Sequence, residues 1–204
     1  MVKVKICGLT NLEDARMAVN AGCDAIGFIF YKKSPRYIMP DKALEIVKQL
    51  PRQVIKIGVF VNSREKTVRK IARLCRLNML QFHGDESSSF CLRFKKYKII
   101  KAFRVKKRIP LEEIEKYKTF AYLFDTFVPD KIGGTGKKFD WRLIRHIEGL
   151  KRPVFLSGGL NGKNVQEAIS TVHPHWLDAS SSIEARPGKK DHRKVKEFIT
   201  AAKR

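Results

Sequence analysis

The stretch Val2-Lys3-Val4-Lys5-Ile6-Cys7-Gly8 carries the local pattern from which the architecture follows. Its aliphatic side chains alternate with lysines, which is the two-residue period of a strand with one apolar face. Thr10 or Asn11 can cap a helix that begins directly afterwards. Cys7 is therefore expected at the C-terminal end of a strand, and in a parallel α/β protein this is the edge at which active sites are built.

A strand followed by a helix recurs along the whole chain. The predicted strands cover residues 2–7, 24–30, 54–61, 79–82, 99–103, 120–124, 154–156 and 176–179. The predicted helices cover residues 12–21, 40–50, 62–76 (capped by Asn62-Ser63), 86–96, 111–117, 140–147, 163–172 and 191–202. These units predict a single-domain (β/α)8 TIM barrel of the α/β class, spanning residues 1–204. An open doubly wound sheet is the alternative, but its Gly-x-Gly-x-x-Gly dinucleotide fingerprint is missing after the first strand.

The charge of the chain is strongly positive. Forty-three Lys and Arg residues against 20 Asp and Glu residues give a formal net charge of +23. Much of this excess falls on the polar faces of predicted helices, which favours a solvated basic surface. No nucleic-acid motif accompanies it, so we expect no nucleic-acid partner.

The chain has no apolar run of the roughly 20 residues that a membrane span needs, and no signal peptide precedes the first strand. A cytoplasmic protein without a membrane partner is therefore expected. The four cysteines, Cys7, Cys23, Cys75 and Cys91, show neither C-x-x-C pairing nor zinc-ligand spacing. We expect reduced thiols and no metal site.

Chemically capable residues follow several of the predicted strands, and a barrel would bring them to one face. They are Cys7, Arg36, His83, Asp125, Ser157-Gly158-Gly159 and Ser180-Ser181. Taken singly each is weak evidence, because a strand-end cysteine more often packs in a core and an aspartate after a strand more often caps a helix. Together, a thiol and a carboxylate on separate strands could act as base and acid across one substrate.

The loops after strands seven and eight predict a phosphate site. In many barrels these two loops bind phosphate through backbone N–H groups, and Gly158 and Gly159 have no Cβ to block a close approach. Tight strand-to-helix turns are the alternative. The glycine-rich stretch 132–137 lacks the spacing of a nucleotide P-loop, so we expect a mobile lid there.

A series of motifs runs in order along the chain. They are Lys5-Ile-Cys-Gly-Leu-Thr10, Gly27-Phe-Ile-Phe30, Ser34-Pro-Arg36-Tyr37, Gly58-Val-Phe-Val-Asn62, Leu80-Gln-Phe-His-Gly84, Phe124-Asp125-Thr126, Gly133-Gly-Thr-Gly-Lys137, Phe139-Asp-Trp141, Leu156-Ser-Gly-Gly-Leu160, Asp178-Ala-Ser-Ser181 and Pro187-Gly-Lys-Lys-Asp191. In these motifs and their order the chain resembles the phosphoribosylanthranilate isomerases of tryptophan biosynthesis, nearly from end to end. The resemblance implies an Amadori rearrangement of a small-molecule phosphosugar, with no cofactor and no metal.

The resemblance also implies roles for individual residues. Asp125 would be the general acid and Cys7 the general base, while Arg36 would bind the anthranilate carboxylate. We expect a neighbouring positive charge such as that of Lys5 to lower the pKa of the Cys7 thiol. His83 could contact the substrate or serve only as a loop hydrogen-bond donor. Asp178 could face the site or anchor the barrel.

One position departs from the family pattern: Ser182 stands where the family usually has Gly, and its side chain could narrow the phosphate loop or require another backbone angle.

Two other function classes stay open. One is a related phosphosugar barrel enzyme, such as an indole-glycerol-phosphate synthase or a ribulose-phosphate epimerase. The other is a basic nucleic-acid-binding protein on a barrel scaffold. The sequence leaves both a monomer and a homodimer open.

Overall fold

The computed structural model describes residues 1–126 and 140–204, with residues 145 and 146 described by their backbone alone. Strands β1 to β8 are Lys3–Cys7, Ala25–Ile29, Ile55–Phe60, Met79–Phe82, Lys98–Val105, Ala121–Thr126, Val154–Leu156 and Trp176–Ala179. They close into one barrel in chain order, each neighbouring pair is parallel, and β8 pairs with β1. The predicted TIM barrel is confirmed, and the open doubly wound sheet is ruled out because the barrel has no edge strand.

Helices surround the barrel in the alternation that the sequence predicts. Helices α1 to α7 are Leu12–Asn20, Pro40–Lys48, Glu65–Leu74, Ser88–Leu92, Leu111–Glu115, Val165–Val172 and His192–Ala202. The segment Trp141–Gly149, between β6 and β7, is a 3₁₀ helix where an α-helix was predicted. The glycine-rich stretch 132–137, expected to be a lid, lies outside the described residues.

A hairpin after β8 was not predicted. A short 3₁₀ turn, Ser181–Ile183, leads into β9 (Glu184–Arg186) and β10 (Lys189–Lys190), which pair antiparallel before α7. Strands of two or three residues are too short to show a period of alternation, so the sequence pattern gave no signal for them.

Capping agrees with the sequence at α1 but not at α3. The Asn11 side chain accepts a hydrogen bond from the backbone N–H of Asp14 at 2.9 Å and caps α1. Asn62 was predicted to cap α3, but it adopts a φ of 48° and its Oδ1 accepts from the backbone N–H of Asp85 instead. The N-cap of α3 is Arg64, which makes no side-chain capping hydrogen bond. The prediction was wrong because a contact with the next βα loop competes for Asn62.

The interior of the barrel is apolar along the first half of its strands. This cluster consists of Ala25, Ile57, Met79, Ile100, Ala102, Ala121, Leu123, Phe155 and Trp176. Phe155 and Trp176 stack there with ring centroids 4.8 Å apart. Closer to the carboxyl ends of the strands, polar side chains replace this cluster, and the candidate site begins.

Strand β1 has the expected apolar face, and from Val4 to Cys7 its other face is buried as well, while Lys3 at its start is exposed. Val4 and Ile6 belong to the larger apolar cluster that includes helix residues such as Ala15 and Val195. Lys5 lies on the other face, inside the barrel, with none of its surface exposed. Val4 and Ile6 therefore face the apolar cluster shared with the helices, whereas Lys5 faces the interior of the barrel.

Candidate active site

The thiol of Cys7 lies at the carboxyl end of β1, beside a buried ion pair. Lys5 precedes it by two residues on the same face of the strand, and Lys5 Nζ lies 2.8 Å from Asp178 Oδ2. The charge of Lys5 acts on the Cys7 thiol and lowers its pKa, against the larger opposite effect of burial. A Cβ at Gly27 would lie 2.7 Å from Cys7 Sγ and 3.0 Å from Lys5 Cε. Only glycine at that position of β2 leaves room for both side chains.

Burial sets the acidity of this cluster. It raises the pKa of the Cys7 thiol, and the positive charges of Lys5 and Lys190 only partly oppose the rise. The expectation of a lowered pKa was therefore wrong, because Cys7 is only 5% exposed. Burial also raises the pKa of the Asp178 carboxyl against the effect of Lys5. Burial alone would lower the pKa of Lys5, but the charges of Asp178 and Cys7 reverse this and raise it.

The carboxyl group of Asp125 lies near the end of β6 and is 5% exposed. Its Oδ1 accepts a hydrogen bond from the backbone N–H of Thr126 at 2.8 Å. Its Oδ2 lies 3.2 Å from His83 Nε2, a close contact whose angle falls outside that of a hydrogen bond. His83 follows β4 directly, so β4 and β6 contribute one polar group each to this side of the site.

Gln81 connects the two sides across the barrel. Its Oε1 accepts a hydrogen bond from Lys5 Nζ at 2.6 Å, and its Nε2 lies 2.8 Å from His83 Nδ1. Gln81 is 1% exposed and lies two residues before His83, on the same face of the chain. Contacts therefore run from Lys5 through Gln81 and His83 to Asp125. Cys7 follows Lys5 by two residues on the same strand, at the carboxyl end of β1, so the thiol and the Asp125 carboxyl group lie at one end of the barrel.

Arg36, in the loop after β2, is held by a carboxylate of the β9–β10 hairpin. Arg36 Nε donates to Glu184 Oε1 at 2.9 Å, and Arg36 Nη2 donates to Glu184 Oε2 at 2.7 Å, which makes the ion pair bidentate. Lys190 Nζ donates to the same carboxylate at 2.9 Å. All three side chains are buried, and burial lowers the pKa of Lys190 against the effect of Glu184. The bidentate ion pair therefore holds the Arg36 guanidinium in one orientation.

The two loops predicted to bind phosphate lie beside these groups. Gly158 and Gly159 have φ of 96° and 66°, a conformation in which a side chain is strained. A Cβ at Gly158 would lie 3.2 Å from Asp125 Oδ1. On the other side, a Cβ at Gly8 would lie 2.8 Å from Arg36 Cδ and 3.0 Å from Ser180 Oγ. Ser180 and Arg36 thus both lie close to Gly8, the residue that directly follows Cys7.

Ser182 lies in the 3₁₀ turn after β8. It does not adopt a positive φ, and its hydroxyl donates a short hydrogen bond to the carbonyl oxygen of Leu160. The side chain therefore ties the loop after β8 to the loop after β7.

Among residues 1–126 and 140–204, three buried polar atoms at this end of the barrel find no hydrogen-bond partner: His83 Nε2, Asp178 Oδ1 and Ser180 Oγ. Buried polar atoms are rarely left unpaired without a reason, and a ligand that pairs with them is one such reason. The orphaned Asp178 oxygen favours a residue that faces the site over one that only anchors the barrel.

All the candidate residues named from the sequence lie at this one end: Cys7, Arg36, His83, Asp125, Gly158, Gly159, Asp178, Ser180 and Ser181. The sequence analysis missed Gln81, Glu184 and Lys190. Gln81 could have been found, because it lies one strand period before His83. Glu184 and Lys190 could not, because their partner Arg36 is far away in the chain.

The four cysteines are free thiols. Within residues 1–126 and 140–204, no group of three His, Cys, Asp or Glu side chains is arranged to hold a metal ion. None of the helices in the described part of the chain combines the length and apolar character that crossing a membrane requires.

The fold and the polar cluster at the carboxyl end of the barrel define a (β/α)8-barrel enzyme. The family model described as N-(5'phosphoribosyl)anthranilate (PRA) isomerase matches residues 4–201. The chain belongs to this family.

Individual relatives agree with this assignment. The chain is 48% identical to the N-(5'-phosphoribosyl)anthranilate isomerase of Thermotoga neapolitana, over 100% of this chain and 99% of that relative. The crystal structure of phosphoribosyl anthranilate isomerase from Thermotoga maritima is similar with a TM-score of 0.94 and 46% identity, over 100% of this chain and 99% of the other.

Two further crystal structures bear on ligand and assembly. One is a phosphoribosyl anthranilate isomerase in complex with reduced 1-(o-carboxyphenylamino)-1-deoxyribulose 5-phosphate, with a TM-score of 0.90 and 44% identity over 100% of this chain and 99% of that one. The other describes monomers generated from the dimeric enzyme of Thermotoga maritima, with a TM-score of 0.90 and 43% identity at the same coverage.

Proposed function

We propose that this protein isomerises N-(5-phosphoribosyl)anthranilate to 1-(2-carboxyphenylamino)-1-deoxyribulose 5-phosphate, a step of tryptophan biosynthesis, by general acid–base catalysis without cofactor or metal. The observation that carries the proposal is that the Cys7 thiol and the Asp125 carboxyl group lie at the same end of the barrel, with contacts that run from Lys5, two residues before Cys7, through Gln81 and His83 to Asp125. Family membership supplies the reaction, and these two groups supply the base and the acid that it needs.

In the first step, Asp125 donates a proton to the ribose ring oxygen. The bond between this oxygen and C1 breaks, and the anthranilate nitrogen supplies the electron pair that forms an iminium ion. The Thr126 N–H at Oδ1 and the nearby His83 Nε2 at Oδ2 both favour the carboxylate that Asp125 becomes after it has given up its proton. These two groups therefore stabilise Asp125 after it has lost its proton.

In the second step, the Cys7 thiolate removes the proton from C2 of the sugar. The electrons of the broken C–H bond neutralise the iminium ion and give an enolamine, which tautomerises to the ketone. Because burial raises the pKa of Cys7 in the free protein, the thiolate depends on the positive charges of Lys5 and Lys190. The iminium ion adds a further positive charge at the moment when the thiolate is needed.

The remaining candidate residues bind the two anionic ends of the substrate. Arg36, oriented by Glu184, binds the anthranilate carboxylate, because a guanidinium matches the planar geometry of a carboxylate. The phosphate binds between the backbone of Gly158 and Gly159 and the loop of Ser180 and Ser181. The unpaired buried hydroxyl of Ser180 supports this placement.

The partner expected for the site is thus a small-molecule phosphosugar. We propose a cytoplasmic protein that acts as a monomer or as a homodimer, and light scattering of the purified protein distinguishes these two states. We expect no retention on nucleic acid at physiological salt, since exposed positive charge alone gives only weak, salt-sensitive binding.

The test of the proposed function generates the substrate in situ from anthranilate and phosphoribosyl pyrophosphate and follows the loss of its fluorescence after the protein is added. The wild-type chain should accelerate this loss. Cys7→Ala and Asp125→Asn should each lower kcat by at least about 100-fold, the scale of lost acid–base catalysis.

Cys23→Ala is the matched control for the cysteine variant. Cys23 is also buried, and burial raises its pKa to about 12, but it lies just before β2, at the amino end of a strand, whereas the site lies at the carboxyl ends. We expect kcat close to the wild-type value for this variant. Near-normal turnover by Cys7→Ala or Asp125→Asn would remove the role assigned to that residue, and an inactive wild-type chain would refute the proposed function.

A further inference from the structure

A buried polar chain crosses the barrel beneath the candidate active site. It runs from Asp178 to Lys5 at 2.8 Å, from Lys5 to Gln81 at 2.6 Å, from Gln81 to His83 at 2.8 Å and from His83 to Asp125 at 3.2 Å. Each of these five side chains is less than a tenth exposed. The proposed function uses the two ends of this chain but assigns nothing to Gln81 in its middle.

The chemistry of the donors fixes the orientation of the Gln81 amide. An ammonium group has donors only, so the Gln81 atom that faces Lys5 must be the carbonyl oxygen. The amide NH2 group then faces His83, and an amide nitrogen can only donate. His83 Nδ1 must therefore accept, and in the neutral imidazole it carries no proton.

The neutral His83 ring consequently carries its proton on Nε2, the atom that lies 3.2 Å from Asp125 Oδ2. With the opposite tautomer, two N–H groups would face each other at Gln81. The arrangement of Lys5 and Gln81 thus decides which atom of His83 is presented to Asp125.

We propose that Gln81 is a positioning residue, which holds neutral His83 in the tautomer that places a protonated Nε2 beside the carboxyl group of Asp125. This inference rests on the proposed function for its catalytic consequence. Once Asp125 has protonated the ring oxygen, its carboxylate can accept a hydrogen bond from the Nε2–H group, which stabilises the state that follows proton transfer. Gln81 itself makes no contact with the substrate in this proposal.

Two variants separate this role from simple filling of space. Gln81→Met has a similar volume and removes both hydrogen bonds. Gln81→Glu keeps an acceptor for Lys5 but offers only oxygen acceptors to His83, so it should draw a proton onto Nδ1. Gln49→Met is the matched control, because Gln49 is exposed and lies at the end of α2, outside the barrel.

The first measurement is ¹⁵N NMR of histidine-labelled protein at a pH at which the ring is neutral, with His83→Ala used to assign the signals. Wild type and Gln49→Met should show a protonated Nε2 and a bare Nδ1, whereas Gln81→Glu should show a protonated Nδ1. A bare Nδ1 retained in Gln81→Glu, or a protonated Nδ1 in the wild type, would overturn the assignment.

The second measurement is the fluorescence assay, together with thermal melts that show each variant to be folded. Both Gln81 variants should lower kcat by about tenfold or more and leave KM within about twofold, because the loss falls on the orientation of the acid. An unchanged kcat would overturn the positioning role. An inactive wild-type chain would refute the proposed function instead, and the NMR comparison would still decide the tautomer.

Discussion

Replacing Lys5 by Met tests the buried ion pair that lies below the site. Lys5 is fully buried, and its Nζ contacts Asp178 Oδ2 at 2.8 Å and Gln81 Oε1 at 2.6 Å. Met fills most of the volume of the lysine stem, so the variant removes the charge with little change of packing. The loss leaves Asp178, which is 4% exposed, as a buried carboxyl group without a cation.

The expected magnitude follows from this geometry. Removing one partner of a buried ion pair costs about 3–5 kcal/mol, because the other charge stays buried and uncompensated. In a chain of 204 residues, 1 kcal/mol corresponds to about 2–4 °C in Tm, so the Tm should fall by roughly 6–20 °C at pH 7. Lys42→Met, at an exposed position of α2, should change the free energy of unfolding by less than about 0.5 kcal/mol.

The loss should depend on pH in a defined direction. Burial raises the pKa of Asp178 and Lys5 partly opposes this rise, so removing Lys5 raises the pKa of Asp178 further. A carboxyl group whose folded-state pKa lies above its unfolded value destabilises the fold increasingly as the pH rises from the unfolded pKa, near 4, through the folded one. The difference between Lys5→Met and wild type should therefore be smaller at pH 4.5 than at pH 7.

Urea unfolding at both pH values, followed by circular dichroism, measures these free energies. The double variant Lys5→Met with Asp178→Asn removes the stranded charge and should recover most of the loss at pH 7. A loss below about 1 kcal/mol for Lys5→Met, or one that grows as the pH falls, would refute the reasoning.

Three other substitutions address the site through the fluorescence assay. Arg36→Met should raise KM by about tenfold or more with a smaller effect on kcat, and an unchanged KM would count against the carboxylate contact. Glu184→Gln removes the negative charge that orients Arg36, so KM should rise while urea unfolding shows a loss of about 3 kcal/mol; wild-type values for both would exclude the orienting role. Gly27→Ala places a methyl group against the Cys7 thiol and should lower kcat by about tenfold, whereas a wild-type kcat would mean that the thiol can move without loss.

Much of the fold is a local property of the sequence. The predicted strands at residues 79–82, 154–156 and 176–179 match β4, β7 and β8 as observed, because short, mostly apolar runs bounded by turn residues are visible in one stretch of chain. Asn11 caps α1 as predicted because a cap contacts only its own helix. Asn62 failed as a cap because it binds a residue of the next βα loop.

The location of the site also follows from the sequence once the strands are known to be parallel. Cys7, His83 and Asp125 each lie at the end of a strand or directly after it, and a parallel barrel brings all such ends together. The types of these residues were enough to suggest a base and an acid. They did not reveal how deeply each group is buried. For this reason we expected a lowered pKa for Cys7, whereas burial raises it.

Only the tertiary structure decided what surrounds these groups. Lys5 and Gln81 are 76 residues apart, Lys5 and Asp178 are 173 apart, and Arg36 and Glu184 are 148 apart. A lysine in a strand with alternating apolar residues looks solvent-exposed until a buried carboxylate is found opposite, because an isolated buried charge is too costly to expect. The sequence determined the strands and their ends, and the closure of the barrel determined the charge pairs, since each pair needs a partner from a distant strand or loop.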